Sequence, residues 1–203
     1  MAVHSTAKKR GGPDKRDRIL KAAVKVFAKN GFYATRVSEI AKAAGVADGT
    51  IYLYFKNKDD VLITIFEDGI QQLLTILREV AASDEPFDQR IKRIIELQLG
   101  LLEGERDLAE VITVNLRQSS TLLKQYAAPL FMEYIDVIAG LIREGQKQGA
   151  FRKDVNSRVA ARSLFGALDG ILLTWALGEA DPSSLRKAAS HCASLFLDGL
   201  QTR

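Results

Sequence analysis

The sequence predicts an all-α protein of about nine helices. Apolar residues recur at spacings of three and four along most of the chain, as in the first such stripe, which consists of Ile19, Ala22, Ala23, Val26 and Phe27. This spacing is typical of one face of an α-helix. No segment alternates polar and apolar residues with a period of two, so we predict no β-sheet. Apolar residues make up 47 % of the 203 residues, which is enough for a substantial core.

Glycine, proline and short polar stretches predict where the helices begin and end. A flexible basic arm, residues 1–13, precedes a first helix that ends at Asn30-Gly31, where Gly31 suits a left-handed cap. Thr35 is the predicted N-cap of a short second helix that ends at Gly45. The later helices are predicted at roughly 48–55, 58–82, 87–102, 107–118, 121–148 (with a kink or restart at Pro129), 156–177 and 183–201.

The composition argues against several classes of protein. Cys192 is the only cysteine, so no internal disulfide is possible, and His4 and His191 lack neighbouring ligands, so we predict no metal site. Residues 1–13 lack the apolar core of a signal peptide. The most apolar stretch, 164–177, is shorter than a membrane span and contains Asp169. We therefore expect a soluble protein of the reducing cytoplasm, with no membrane partner.

The charge is unevenly distributed along the chain. Residues 1–58 contain 13 Lys and Arg against 4 Asp and Glu, whereas residues 59–203 contain 16 against 21. A basic front followed by an acidic remainder indicates that the front binds a polyanion such as nucleic acid.

A helix-turn-helix pattern lies within this basic front. Ala41 provides the small side chain needed where two helices approach, and Gly45 follows where the turn needs a positive φ. Ile51 then packs back from the second helix of the pair. The recognition helix of such a motif enters the major groove with its N-terminal end near the bases, where Gly49 permits close approach and Thr50 reaches a base or a phosphate.

The stretch RVSEIAKAAGVADGTIYLYFKNKDDVL, residues 36–62, resembles the signature of the TetR family of bacterial transcriptional regulators. The resemblance implies a DNA-binding domain at 14–57, a ligand-binding and dimerisation domain at 58–203, and a palindromic operator. It also implies that Tyr52 and Tyr54 face DNA and that Lys58 contacts a phosphate. The predicted DNA-binding residues are Arg36, Ser38, Asp48, Gly49, Thr50, Tyr52, Tyr54 and Lys58.

Some residues of this head have a structural interpretation as well. Tyr52 could belong to the core of the head, and Asp48 could be the N-cap of the recognition helix, although it could also accept from cytosine. Phe55 is better explained as a core residue, and Lys56 could simply be solvated.

The last two helices have the pattern of a dimer interface. The apolar positions of 156–177 cover most of the helix circumference, and small residues such as Gly166 and Ala167 allow another helix to approach closely. Regulators of the TetR family dimerise through their last two helices, so we expect a homodimer through 156–177 and 183–201. The alternative is an ordinary buried helix in a monomer.

A narrower resemblance predicts the effector. VADGTIYLYFKNKDD, together with residues 115–119 and 165–175, looks like the TetR subgroup that represses fatty-acid degradation and responds to long-chain acyl-CoA. The predicted ligand-binding residues are Leu73, Leu77, Ile94, Leu102, Val111, Asn115, Arg117, Phe131, Ile135 and Trp175, with Leu101 as a further wall of an acyl tunnel. Candidate partners of the CoA phosphates are Arg93, Arg106, Arg117 and Lys124.

Three other functions remain open at this point. The first is a multidrug-responsive efflux repressor with the same head, in which Glu96, Glu110 or Asp169 would bind a lipophilic cation. The second is an all-α enzyme, but no nucleophile–base pair, di-iron motif or phosphate loop is present, and we predict neither catalysis nor a cofactor. The third is an interaction module that does not bind DNA, which the basic head argues against.

Overall fold

The computed structural model describes residues 15–118, 123–178, 181 and 184–202, and within them it confirms the all-α prediction. An isolated antiparallel bridge between Phe151 and Gln201 is the only β-type pairing in these ranges. The helices are α1 Lys15–Asn30, α2 Val37–Ala44, α3 Asp48–Ile51, α4 Lys58–Ala81, α5 Phe87–Gly100, α6 Arg106–Glu110, α7 Ala128–Lys147, α8 Ser157–Leu177 and α9 Ser184–Leu200. The basic arm, 1–13, lies outside the described residues.

The helical structure around the gap at 119–122 is not regular α-helix. After α6 the chain continues as a π-helical turn, Val111–Asn115, and a 3₁₀ turn, Leu116–Gln118. A second π-helical turn, Leu123–Ala127, precedes α7. Pro129 lies in the first turn of α7, where its missing N–H has no intrahelical partner to lose. The predicted restart at Pro129 is therefore confirmed.

The caps of the first helices agree with the sequence except at Thr35. Gly31 has φ 77° and Gly45 has φ 65°, as predicted. The N-cap of α2 is Arg36, so the assignment of that role to Thr35 is wrong. The hydroxyl of the buried Thr35 instead donates to the carbonyl oxygen of Gly31 at 2.8 Å. The backbone N–H of Arg36 donates to Oε2 of Glu39 at 2.7 Å, which secures the first turn of α2.

The third helix is shorter than predicted. It ends at Ile51, and the backbone N–H groups of Tyr54 and Phe55 both donate to the carbonyl oxygen of Ile51 at 3.0 Å, which continues the chain as a turn. The next helix, α4, begins after Asn57, whose side chain accepts from the backbone N–H of Asp60 at 2.8 Å. The connection between α3 and α4 is therefore short and held by hydrogen bonds at both ends.

A single hydrophobic core runs through the described part of the molecule. In the head, α1 packs against α2 and α4, and Ile19, Phe27 and Ile40 are completely buried. Helix α1 also packs against α6, so the core continues into the C-terminal part. There α7 packs between α4 and α8, while α9 packs against α5 and α8. The head is thus joined to the rest by buried contacts.

Helix α8 has 21 residues and is long and apolar enough to cross a membrane by length and composition alone. The apolar stretch 164–177 is the C-terminal part of this helix, which begins at Ser157 close to the predicted start at 156. Leu164 and Leu168 of this helix are buried in the protein core. A core helix of a folded domain meets the same criteria, so this feature is weak evidence for a membrane span.

Candidate nucleic-acid interface and ligand pocket

The helix-turn-helix predicted from Ala41, Gly45 and Ile51 is present. Ala41 and Ile51 are completely buried where α2 and α3 meet. The turn between the two helices is closed by the backbone N–H of Val46, which donates to the carbonyl oxygen of Ala41 at 3.0 Å. Arg18 of α1 donates to the carbonyl oxygen of Ala44 at 2.6 Å and so ties the C-terminus of α2 to α1. These contacts fix the position of α3 on the head.

The side chains at the end of α3 divide sharply into buried and exposed. Ile51 and Phe55 are buried, whereas Tyr52 is 57 % exposed and Tyr54 is 41 % exposed. The alternative that Tyr52 belongs to the core is therefore wrong, and the core position of Phe55 is confirmed. Leu53 is 80 % exposed on the same turn. The sequence reasoning missed Leu53, whose apolar side chain is suited to contact a thymine methyl group.

An open notch of about 460 Å³ lies between the start of α2 and the end of α3. Several of the predicted DNA-binding side chains line this notch, as does the first turn of α2. The free N–H groups and the dipole of that turn favour the binding of a phosphate. The residues that line it are Thr35, Arg36, Val37, Ser38, Asp48, Tyr52 and Lys58.

The remaining predicted residues of the head lie beside this notch. Gly49 is exposed and Thr50 is half-buried on α3, and Tyr54 follows on the turn. The N-cap of α3 is Ala47, so the interpretation of Asp48 as that cap is wrong. Asp48 is exposed in the first turn of α3, so its carboxylate is accessible to an N–H donor such as cytosine N4.

Lys58 has a different set of partners from the one predicted. Its ammonium group donates to the carbonyl oxygens of Phe32 at 2.7 Å, Tyr33 at 3.1 Å and Thr35 at 2.9 Å. The same group lies 4.6 Å from the centroid of the Phe32 ring. Because an ammonium group has three N–H donors, the predicted phosphate contact would require Lys58 to give up one of these bonds. In this structure Lys58 fastens the loop between α1 and α2 to the start of α4.

The predicted acyl-tunnel walls lie in one continuous core, apart from Leu101, which is half-buried at the C-terminal end of α5. Six of them are buried, and two others, Leu73 and Phe131, are partly buried against the same core. The six are Leu77, Ile94, Leu102, Val111, Ile135 and Trp175.

A row of aromatic rings that includes the predicted Phe131 lies within this core. The core also contains a polar pair, Tyr134 and Gln98, which the sequence analysis missed. Phe131 contacts Phe66 at 5.4 Å and Phe165 at 5.3 Å between ring centroids, and Tyr134 continues the row at 5.4 Å from Phe165. The hydroxyl of the buried Tyr134 donates to Oε1 of Gln98 at 2.6 Å. Gln98 interrupts the apolar face of α5, and this interruption is the one signal that could have revealed the pair.

The predicted CoA-phosphate partners make other contacts. Arg93 is paired with Glu85, and Arg117 is paired with Asp169 of α8. Arg106 lies over the Trp175 ring, 4.9 Å from its centroid, while Lys124 is exposed.

Two arginines that were not predicted, Arg78 and Arg90, line an open surface cavity of about 370 Å³ where α4, α5 and α7 meet. Among the described residues, no cluster of three His, Cys, Asp or Glu side chains is arranged to hold a metal ion.

Asn115 lies at the contact between the head and the C-terminal part. Its side chain is 1 % exposed, and its Oδ1 accepts from the backbone N–H of Phe32 at 2.7 Å. Nearby, the hydroxyl of Tyr33 donates to the carbonyl oxygen of Gln118 at 3.0 Å. A contact of Asn115 with a ligand stays a prediction, whereas its contact with the head was not foreseen.

Small and apolar residues are exposed on α8 and α9, beside charged residues such as Arg186 and Asp198. A methyl group added at Gly166 or Gly170 would project into open space. Leu177 at the end of α8 is 64 % exposed, and Leu195 of α9 is 78 % exposed.

Comparison with known proteins identifies relatives over almost the whole chain. Residues 19–65 match the family model described as bacterial regulatory proteins, tetR family, and residues 66–199 match the model described as YsiA-like protein, C-terminal region. The chain is 37 % identical to the fatty acid metabolism regulator protein of Bacillus subtilis over 161 residues, which are 79 % of this chain and 83 % of that protein.

Solved structures with the same architecture include two regulators called FadR. The transcriptional regulator FadR from Bacillus subtilis in complex with stearoyl-CoA has a TM-score of 0.81 and 34 % identity, covering 90 % of this chain and 98 % of that one. The fatty acid degradation regulator FadR from Bacillus halodurans has a TM-score of 0.84 and 35 % identity, covering 97 % of this chain and 100 % of that one.

Proposed function

The chain belongs to the TetR family of bacterial regulatory proteins, and on that premise we propose that it is a cytoplasmic, dimeric repressor of fatty-acid degradation genes that long-chain acyl-CoA releases from DNA. It acts by binding and not by catalysis. The observation that carries this proposal is that the similarity to a regulator with bound stearoyl-CoA extends over 90 % of the chain. It therefore includes the ligand domain as well as the DNA-binding head.

The notch between α2 and α3 supports the DNA-binding part of the proposal. We assign backbone contacts to Arg36 and Ser38, which lie at the start of α2, where the helix dipole attracts a phosphate. Thr50 and Tyr54 are assigned to base edges, together with Leu53. This division predicts that Arg36→Ala weakens binding to all sequences, whereas Thr50→Ala relaxes discrimination at particular base pairs.

The exposed small and apolar residues of α8 and α9 support dimerisation. We propose that two copies pack these helices into a four-helix bundle, with the exposed glycines of α8 allowing close approach and Leu195 covered by the partner. Gly166→Glu should give a monomer in sedimentation experiments and abolish high-affinity operator binding. Gln72→Glu, which adds one negative charge at an exposed position of α4, is the control. A wild-type protein that sediments as a monomer at micromolar concentration would contradict the dimer.

Helix α4 provides a route by which a ligand could act on DNA binding. It begins at Lys58 beside the notch, and its later residue Leu77 is buried in the core where the acyl chain would bind. A ligand that enters between α4 and α7 tilts α4 and changes the spacing of the two heads. The ligand must bind the state with the changed spacing more tightly than the DNA-competent state, because equal affinity for both states shifts nothing.

The test is a mobility-shift titration with CoA, octanoyl-CoA, lauroyl-CoA and palmitoyl-CoA. Each buried methylene contributes roughly 0.8 kcal/mol, so the concentration needed for release should fall steeply with chain length until the tunnel is full. Free CoA should have almost no effect. An operator complex that is indifferent to all four ligands would contradict the acyl-CoA response.

The same mobility-shift assay tests the alternative of a multidrug-responsive efflux repressor. A lipophilic cationic dye should leave the operator complex intact, and release by the dye but not by palmitoyl-CoA would favour the efflux repressor. Asp169, one of the carboxylates considered for a cation, is already paired with Arg117, which leaves it less available for that role.

A further inference from the structure

The loop that joins α1 to α2, residues 31–36, is held from two sides, and we call it the head loop. From the side of α4, the Lys58 ammonium group binds three of its carbonyl oxygens. From the ligand domain, Asn115 accepts from the backbone N–H of Phe32, and Tyr33 donates to the carbonyl oxygen of Gln118. The Phe32 peptide is thus bound through its N–H by the ligand domain and through its carbonyl by α4.

The ligand-domain side of this contact is an irregular helical segment, residues 111–118. It consists of the π-helical turn Val111–Asn115 followed by the 3₁₀ turn Leu116–Gln118. π-helical turns inside helices are frequent at functional sites, and short 3₁₀ stretches often mark hinges. A change of pitch in such a turn rotates the side chains that follow it. The segment is also tied to the dimerisation helix α8 through the ion pair between Arg117 and Asp169.

We propose that Asn115 is a positioning residue for DNA binding: it holds the head loop, and with it the recognition helix, at the angle that fits the operator. The Phe32–Asn115 bond is suited to this role because its acceptor is buried. Breaking it would leave an unsatisfied N–H group at a site with little access to water, which is costly. The head is therefore expected to follow the segment when the segment moves.

This role also links the head to the proposed ligand, and to that extent it rests on the proposed function. Val111, a predicted wall of the acyl tunnel, is completely buried four residues before Asn115 in the same π-helical turn. A chain that displaces Val111 changes the pitch of this turn and shifts Asn115. The ligand and the operator would then favour two different positions of the 111–118 segment.

The test compares operator affinity in four full-length proteins. These are wild type, Asn115→Leu, Tyr33→Phe and Thr113→Val. Asn115→Leu removes the acceptor at similar side-chain volume, and Tyr33→Phe removes one exposed hydrogen bond. Thr113→Val is the matched control, because Thr113 is buried in the same turn and its hydroxyl bonds only the carbonyl oxygen of Ala109 within the helix. The DNA probe is a duplex that the wild-type protein selects from a random pool.

Asn115→Leu should bind the selected duplex about tenfold more weakly, which corresponds to about 1.4 kcal/mol, and Tyr33→Phe about threefold more weakly. The slope of log affinity against log salt should not change, because no phosphate contact is removed. Hydrogen exchange at the Phe32 amide should become faster in Asn115→Leu only. Thr113→Val should have the operator affinity and the Phe32 hydrogen-exchange rate of the wild type.

Wild-type affinity in a folded Asn115→Leu protein would overturn the proposal. If that variant does not fold, wild-type affinity in Tyr33→Phe overturns it instead, and a threefold loss supports it. The operator affinities of the variants are measured without ligand, so they test the role of Asn115 independently of the acyl-CoA response. If palmitoyl-CoA leaves the wild-type operator complex intact, the acyl-CoA response is refuted, and the affinities of the variants still decide the role of Asn115.

Discussion

Lys58 is the residue for which the family resemblance and the structure suggest different roles. The resemblance implies a phosphate contact, whereas the structure directs the ammonium group at three carbonyl oxygens of the head loop. Lys58→Met should therefore lower the free energy of unfolding by about 1–3 kcal/mol, because a charged hydrogen-bond donor is lost from a partly buried site. It should weaken operator binding without changing its salt dependence.

Arg36→Met provides the control for this prediction. Arg36 is exposed beside the notch, and loss of a phosphate contact there should reduce the salt slope by about one. The measurement is fluorescence anisotropy of a labelled operator at several salt concentrations, with urea unfolding of each protein. If Lys58→Met reduces the salt slope and leaves the free energy of unfolding unchanged, the result would support the phosphate contact and contradict the structural role of Lys58.

Two buried titratable groups predict how stability depends on pH. Burial raises the pKa of the Cys192 thiol above its ordinary value of 9.0, and burial also raises the pKa of the Tyr134 hydroxyl. A raised pKa means that the folded state retains protons that the unfolded state has lost, so this contribution is complete below pH 9 and declines as the pH rises through the folded pKa. Urea unfolding should show stability falling above pH 9, and less steeply in Cys192→Ala. Equal slopes in both proteins would contradict the contribution of Cys192.

At single positions, the sequence could predict which side chains are buried and exposed better than it could predict their partners. The interpretation of Phe55 as a core residue is confirmed, and Tyr54, which the family signature predicts to face DNA, is exposed. Asn115 was identified as a residue of interest but with a ligand as its partner. In the structure its Oδ1 accepts from the backbone N–H of Phe32, 83 residues away, and a hydrogen bond to a backbone group leaves no pattern in either segment.

Two glycines of the same helix should respond oppositely to substitution. Gly145 and Gly140 both lie in α7, but a methyl group at Gly145 would come within 2.4 Å of the Phe151 ring, whereas at Gly140 the nearest atom is 3.9 Å away. Gly145→Ala should destabilise the protein by about 1–3 kcal/mol, because the buried ring must move. Gly140→Ala should stabilise it by about 0.5–1 kcal/mol through helix propensity.

Urea unfolding of the two variants measures this difference directly. Because both changes add the same methyl group to one helix, their difference isolates the contact with Phe151. Equal stabilities would contradict the assignment of Gly145 to a close approach between α7 and the chain that follows it.

The sequence could predict the helices but not their irregular turns. Helix ends at Gly31, Gly45 and Asn156 follow from local chemistry, and the Asn156 side chain accepts from the backbone N–H groups of Arg158 and Val159 as a cap should. The π-helical turn Val111–Asn115 differs from an α-helix by one residue in hydrogen-bond spacing. Over five residues that difference does not disturb the apolar stripe, so it is visible in the structure and not in the sequence.

On the scale of the whole molecule, the single core explains how two functions are joined. The ligand domain and the head share buried contacts through α1, α4 and α6, so a displacement in the predicted tunnel has a continuous packed path to the notch. Packed cores respond by switching between arrangements and do not deform gradually. Two positions of the 111–118 segment are therefore a more suitable basis for release from DNA than a general loosening of the head.

This coupling must act in both directions. If palmitoyl-CoA weakens operator binding by a given factor, saturating operator must weaken palmitoyl-CoA binding by the same factor, because both factors measure one coupling free energy. A tenfold effect corresponds to about 1.4 kcal/mol in each direction. The mobility shift measures the factor by which palmitoyl-CoA weakens operator binding. Calorimetric titration of palmitoyl-CoA into the free protein and into its operator complex measures the factor by which the operator weakens palmitoyl-CoA binding. The titration is done below the micelle concentration of the ligand.

Comparison of the two factors separates allosteric release from artefacts. Equal factors in the wild type, and smaller but still equal factors in Asn115→Leu, are expected if the 111–118 segment carries the coupling. Release of DNA with no effect of DNA on palmitoyl-CoA affinity would instead indicate a detergent-like action of the ligand. Free CoA, which lacks the acyl chain, should give a factor close to one in both measurements, because it has no chain to fill the predicted tunnel.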